Sequence, residues 1–163
     1  MDHSHIVTRF DKDLSEIESL LVEMADLVAK QIRDSAKALQ LGDDKLAKTV
    51  TKNDSKINRL EEKIDDKAIR LIALRQPMAE DLRSAITTLK VSNCLERMGD
   101  YAKTLSYRAR KIDDFSAMKS ILRSIAEMSE KIINMLNVVM EAYVNRDLKK
   151  AHDAREADQE IND

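Results

Sequence analysis

Turns are made most easily with glycine or proline, and this chain of 163 residues has only two glycines and one proline. Each of the three is therefore a marked position. Gly42 lies in Leu41-Gly42-Asp43, Pro77 follows Arg75-Gln76, and Gly99 lies inside Glu96-Arg97-Met98-Gly99-Asp100. Gly42 suits the left-handed position after a helix, and Asp43 can cap the helix that follows. The residue before a proline avoids the helical region, so Gln76 ends a segment, and Pro77 suits the first turn of the next. Between these breaks the chain has to form long, regular elements. Gly99 is in the middle of one, where glycine costs about 1 kcal/mol relative to alanine and so needs a reason.

The periodicity of the apolar residues shows that these elements are helices. Leu14, Ile17, Leu20, Leu21, Met24, Leu27, Val28, Ile32 and Ala36 recur at steps of three and four, which predicts a helix over about 11–40. Leu46, Val50, Ile57, Leu60, Ile64, Ala68 and Leu71 predict a second over about 44–74. A third is expected from Pro77 to about Lys111, with Glu80 and Asp81 in the first turn, where the helix dipole favours negative charge. The acidic pair Asp113-Asp114 reads as a linker. A fourth helix is expected from Ser116 to Val144, a break at Asn145-Arg146-Asp147, and a fifth from Leu148. Charged residues make up 36% of the chain and aromatics 3%, a composition that fits long helices and argues against sheet. The fold class is all-α.

The sequence also repeats. Shifted by 104 positions, residues 24–59 fall on 128–163 with eight identities in 36, among them Met24/Met128, Ala38/Ala142, Asp43/Asp147 and Asp54/Asp158. The helix breaks coincide as well. Residues 1–112 thus read as one complete three-helix repeat, and 113–163 as a partial second repeat of two helices. The stripe Ile121, Ile125, Met128, Ile132, Leu136, Val139 and Met140 would lack a third helix to cover it. Such exposed patches mark association sites, so a homodimer or an exchange of helices is expected.

Several classes of function are disfavoured. A formal net charge of −2 gives no general attraction to nucleic acid. No apolar run approaches the roughly 20 residues of a membrane span. Cys94 is the only cysteine, which excludes an internal disulfide and fits a reducing compartment. A soluble, cytoplasmic protein is expected. There is no glycine-rich phosphate loop and no Ser/His/Asp set. His3 and His5 belong to the N-terminus, which reads as mobile, and His152 reads as surface. Cys94 reads as packing on the core side of the third helix.

The acids carry the functional signal. Glu96 and Asp100 are four residues apart on one helical face, where like charges repel by a few tenths of a kcal/mol. Leu82, Ile86, Leu89, Asn93, Glu96 and Asp100 form one stripe, apolar at first and then polar. Val91, Leu95, Met98, Ala102 and Leu105 take over on the opposite side, so the third helix is expected to change its buried face or to pack on both. On the second helix Asp54, Asn58, Glu61 and Asp65 flank the apolar stripe. A tight connection at Pro77 makes the two helices antiparallel neighbours and brings Asp54 level with Asp100, and Asn58 level with Glu96. A cluster of oxygen donors suits hard cations (Mg, Mn, Ca or Fe), and without thiolate or imidazole it does not suit structural zinc. The alternatives are a solvated charged face or a metal-free adaptor whose acids receive a basic partner surface.

Three segments together resemble the PhoU family of bacterial phosphate-signalling proteins. They are Gln76-Pro77-Met78-Ala79-Glu80-Asp81-Leu82-Arg83, Leu95-Glu96-Arg97-Met98-Gly99-Asp100, and Asn53-Asp54-Ser55-Lys56-Ile57-Asn58-Arg59-Leu60-Glu61. Met98 stands where members usually have isoleucine, and Asn58 where many have aspartate, so one potential anionic ligand is neutral here. The resemblance implies tandem three-helix bundles and a C-terminally short member. It implies a multinuclear metal site on acid-x-x-x-Asp pairs, here Glu96 and Asp100 with Asp54 and Asn58. Asp81 and Arg83 would order the turn or contact a partner. By the same resemblance the chain would be a negative regulator of phosphate uptake rather than an enzyme. It would couple a phosphate ABC transporter and its ATPase to a sensor histidine kinase. An inactive remnant is a further alternative.

Overall fold

The computed structural model describes residues 3–112, 115 and 118–157. Five helices follow one another: α1 (His3–Leu41), α2 (Asp44–Arg75), α3 (Glu80–Ala109), α4 (Lys119–Val144) and α5 (Leu148–Ala157). The first three pack pairwise into a bundle, α4 lies along α1, and α5 packs on α4. None of the described helices is long and apolar enough to cross a membrane. Asp113-Asp114, Ser116 and the far end of the second repeat lie outside the described residues.

The core follows the apolar stripes. Ile17, Leu21, Met24 and Val28 of α1 meet Ile57 and Ile64 of α2 and Leu95 of α3, and all seven are at most 2% exposed. Burying a side chain of this size contributes about 1.5–3 kcal/mol. Ile133, Leu136 and Met140 of α4 join the same cluster. Arg33 clamps Glu130 from α1 to α4 with two bonds, and Arg146 pairs with Glu18.

The first turn forms as expected. Gly42 has φ +64°, and the Asp43 carboxylate accepts from the Leu46 amide at 2.9 Å. The 104-residue repeat reproduces this turn bond for bond. Asp43 N–H donates to Ala38 O at 2.9 Å, and Asp147 N–H to Ala142 O at 2.9 Å. Ala47 N–H reaches Asp43 O at 3.0 Å, and Ala151 N–H reaches Asp147 O at 3.0 Å. Arg146 occupies the place of Gly42 and takes φ +54°, a conformation that costs a non-glycine residue about 1 kcal/mol or more.

Four expectations need correction. The first helix begins at His3, well before Asp11, and Phe10 continues its buried stripe one turn beyond Leu14. Pro77 is not in the first turn of α3. Gln76 (φ +46°, ψ +53°) turns left-handed and Ala79 (φ +49°, ψ −106°) also takes a positive φ, so Pro77-Met78 form a two-residue bridge and the helix starts at Glu80.

The third helix does not change its buried face. Ala85, Thr88, Ser92, Leu95, Gly99, Ala102, Ser106 and Ala109 form one continuous buried strip at steps of three and four. Seven of these eight side chains are small or hydroxylated, which lets the three helices approach closely, while Ile86, Leu89, Val91 and Met98 only flank the strip. Finally, Cys94 is exposed, because the strip runs past it through Ser92 and Leu95. The stripe on α4 is partly uncovered, with Ile121 53%, Met128 49% and Val139 43% exposed.

A carboxylate face between the second and third helices

The antiparallel register of α2 and α3 brings together one of the two pairs read from the sequence, Asp54 and Asp100. Asp54 lies opposite Asp100, and one ammonium joins them: Lys103 Nζ is 2.7 Å from Asp54 Oδ2 and 3.3 Å from Asp100 Oδ1. The Asp54 side chain is 5% exposed and that of Asp100 52%. Farther along the groove Glu61 reaches the Asn93 side chain and faces Glu96 and Asp100. Asn58 and Glu96 are half-buried on the same face.

Asp54 is fixed from behind. Gln31 of α1 donates through Nε2 to Asp54 Oδ1 at 3.1 Å and to the Gly99 carbonyl at 3.0 Å. This explains the mid-helix glycine. A Cβ at position 99 would stand 3.0 Å from Ile57 Cδ1 and 3.8 Å from Gln31 Nε2. Gly99 lets α3 approach α2 closely enough for a side chain from α1 to span both.

Five carboxylates therefore line the groove (Asp54, Glu61, Asp65, Glu96 and Asp100), and Lys103 is bonded to two of them. The other three carry the electrostatic strain. Burial, then repulsion by Asp100 and Glu61, pushes the Glu96 carboxyl above its ordinary value. Burial and then Asp65 raise Glu61, and burial and then Asp66 raise Asp65. An acid with a raised folded pKa binds more protons folded than unfolded, so its stabilisation is lost as pH rises through that range. In chelator, Glu96→Gln is expected to raise the melting temperature at neutral pH and to leave it unchanged below the ordinary carboxylate range. A lower melting temperature at neutral pH would contradict the strained-acid account.

Does this donor set fit a metal? The chemistry does: the donors are hard oxygens, mostly anionic, and a cation already sits between two of them. The spacing is looser. Among the described residues, the one group of three His, Cys, Asp or Glu ligand atoms within 4.8 Å of one another is His152, Asp153 and Glu156, all exposed on α5. In the groove, Asp54 and Asp100 are instead held apart by the Lys103 ammonium between them.

Asp81 and Arg83 are exposed in the first turns of α3. Arg83 makes no ion pair among the described residues; Arg75 ties this end of the bundle together, reaching Asp13 Oδ2 at 2.9 and 3.1 Å. Lys103 and Gln31 were not picked out by the sequence reading. Another feature it passed over is a basic ridge on the outer side of α2. It runs from Lys45 through Lys52, Lys56, Arg59 and Lys63 to Arg70, at helical spacing and away from the acids.

The fold is a bundle of long antiparallel helices in which acids of α2 face acids of α3. The sequence pattern of the PhoU domain matches residues 21–109, and the chain belongs to the PhoU family. The phosphate-specific transport system accessory protein PhoU homolog of Caulobacter vibrioides (strain NA1000 / CB15N) is 35% identical over 159 residues, 98% of this chain and 69% of that one. The homolog from Clostridium acetobutylicum is 35% identical over 153 residues, 93% of this chain and 69% of its own. The crystal structure of PhoU from Pseudomonas aeruginosa superposes with a TM-score of 0.85 at 30% identity, covering 94% of this chain and 73% of that chain.

Proposed function

We propose that the chain is a phosphate-transport accessory protein that acts as a negative regulator, not an enzyme, and binds a divalent metal at the α2–α3 face. Asp54, Glu96 and Asp100 would be the anionic ligands and Asn58 a neutral one. The observation that carries this reading is the surplus of acid: five carboxylates line one groove, three of them strained upward in pKa, with one ammonium bonded to two. A metal supplies the missing positive charge and stiffens the helix pair. The partners in this reading are a phosphate ABC transporter ATPase and a sensor histidine kinase in the cytoplasm, met by the outer surface of the bundle. The basic ridge on α2 and the turn residues Asp81 and Arg83 lie on that surface. Residues 113–163 serve as a partial second repeat, and the uncovered stripe on α4 receives a second copy of the chain.

Elemental analysis tests the site. Purified without chelator, the wild type is expected to carry a divalent metal that Glu96→Ala/Asp100→Ala lacks. Equal metal content in both would remove the metal from the reading and favour an adaptor whose acids receive a basic partner surface. Light scattering on the same samples tests the pairing, which a monodisperse monomer would rule out.

A further inference from the structure

The position of Lys103 raises a question that the metal reading leaves open: where the ammonium goes when a metal binds. The Asp54 carboxylate has no freedom to avoid a cation. One oxygen is held by Gln31, whose amide is itself held by Gly99 O, and this turns the other oxygen into the groove. With its side chain 5% exposed, Asp54 needs a positive partner, because an unpaired buried carboxylate is strongly destabilising. Lys103 meets that need and touches Asp100 at the same time. It does so from the next turn of the same helix as Asp100, on a flexible stem, and with 38% of its side chain exposed. It can leave for solvent by rotating its own torsions, with no movement of the backbone.

We propose that Lys103 is a built-in counter-cation, displaced when a divalent metal enters. This rests on the metal reading above and adds to it a competitor belonging to the chain. In the metal-free protein the ammonium neutralises Asp54 and Asp100 and keeps the helix pair closed. In the metal-bound protein the ion takes those oxygens together with Glu96, and the ammonium turns outward. Affinity is then a difference between two cations rather than a property of the acids alone. Lys103 sets the metal concentration at which the site fills, and its release changes the charge presented at the groove mouth.

Mn²⁺ titrated into chelator-treated full-length protein, followed by calorimetry, tests this. Lys103→Met is expected to bind on the order of a hundredfold more tightly than wild type, within the range of couplings between competing ligands. Lys103→Arg, which keeps the competitor, is expected to bind no more tightly than wild type. Loss of the signal in Glu96→Ala/Asp100→Ala assigns it to this groove rather than to His152 and its neighbours. Without metal, Lys103→Met is expected to melt below wild type, and saturating Mn²⁺ to close the gap. Amine-reactive labelling read by mass spectrometry needs no variant: modification of Lys103 in the wild type is expected to rise as Mn²⁺ is added. Equal or weaker binding by Lys103→Met, or labelling that does not change while Mn²⁺ binds, would overturn the displacement and leave the metal site standing. No binding by wild type or Lys103→Met would remove both.

Discussion

Gly99→Leu is expected to be strongly destabilising, while Gly99→Ala is expected to be nearly neutral. An added Cβ stands 3.0 Å from Ile57 Cδ1 and 3.5 Å from Ile57 Cγ2. Cδ1 is the far end of a flexible side chain and needs to yield only a few tenths of an ångström. Alanine also gains about 1 kcal/mol of helix propensity over glycine, which offsets that shift. Leucine has no such escape. Its outer atoms enter space held by Ile57, which is 1% exposed, and by Gln31, which is 5% exposed. Overpacking of this kind costs about 3 kcal/mol, and pushing Gln31 aside also breaks its bonds to Gly99 O and Asp54. Denaturant unfolding of the three proteins is the measurement. If leucine proves as well tolerated as alanine, close approach of the helices is not the reason for the glycine.

How much of this was legible in the sequence depends on what burial did to each residue type. The stripes on α1 and α2 were read correctly because their buried positions are large and apolar. The register across the turn followed from counting, and Asp54 does meet Asp100. The buried face of α3 was missed because it is made of Ala, Ser, Thr and Gly, residues that hydropathy does not mark as core. The flanking Leu and Ile drew the eye instead. Lys103 was in plain view three residues past Asp100, but such a pair on a helix surface is ordinary and weak. What makes it unusual is that its other partner is a buried aspartate on a different helix, which only packing reveals. The left-handed residue at 146 could have been found by carrying Gly42 across the repeat. The identity of the residue argued against it, and the turn formed regardless.

The Asp54–Lys103 pair is expected to behave asymmetrically when it is taken apart. Lys103→Met leaves a carboxylate that is 5% exposed with only the Gln31 amide for company, a loss of about 3 kcal/mol. Asp54→Asn leaves the lysine instead, and that side chain is 38% exposed, so its ammonium rehydrates and keeps Asp100 as partner. The asparagine side-chain oxygen can still accept from Gln31, which limits the cost to about 1 kcal/mol. The double variant has neither a buried charge nor a lost amide contact. It is expected within about 1 kcal/mol of wild type, because replacing both members of a buried ion pair is often neutral. A cycle measured by denaturant unfolding in chelator then gives a coupling of about 3 kcal/mol. Additive effects would mean that the ammonium contributes nothing specific to Asp54. Strong coupling in chelator would show that the folded chain requires a positive charge at Asp54 even without metal. In that case the groove supplies its own counter-cation, and any external cation has to compete with Lys103 for Asp54.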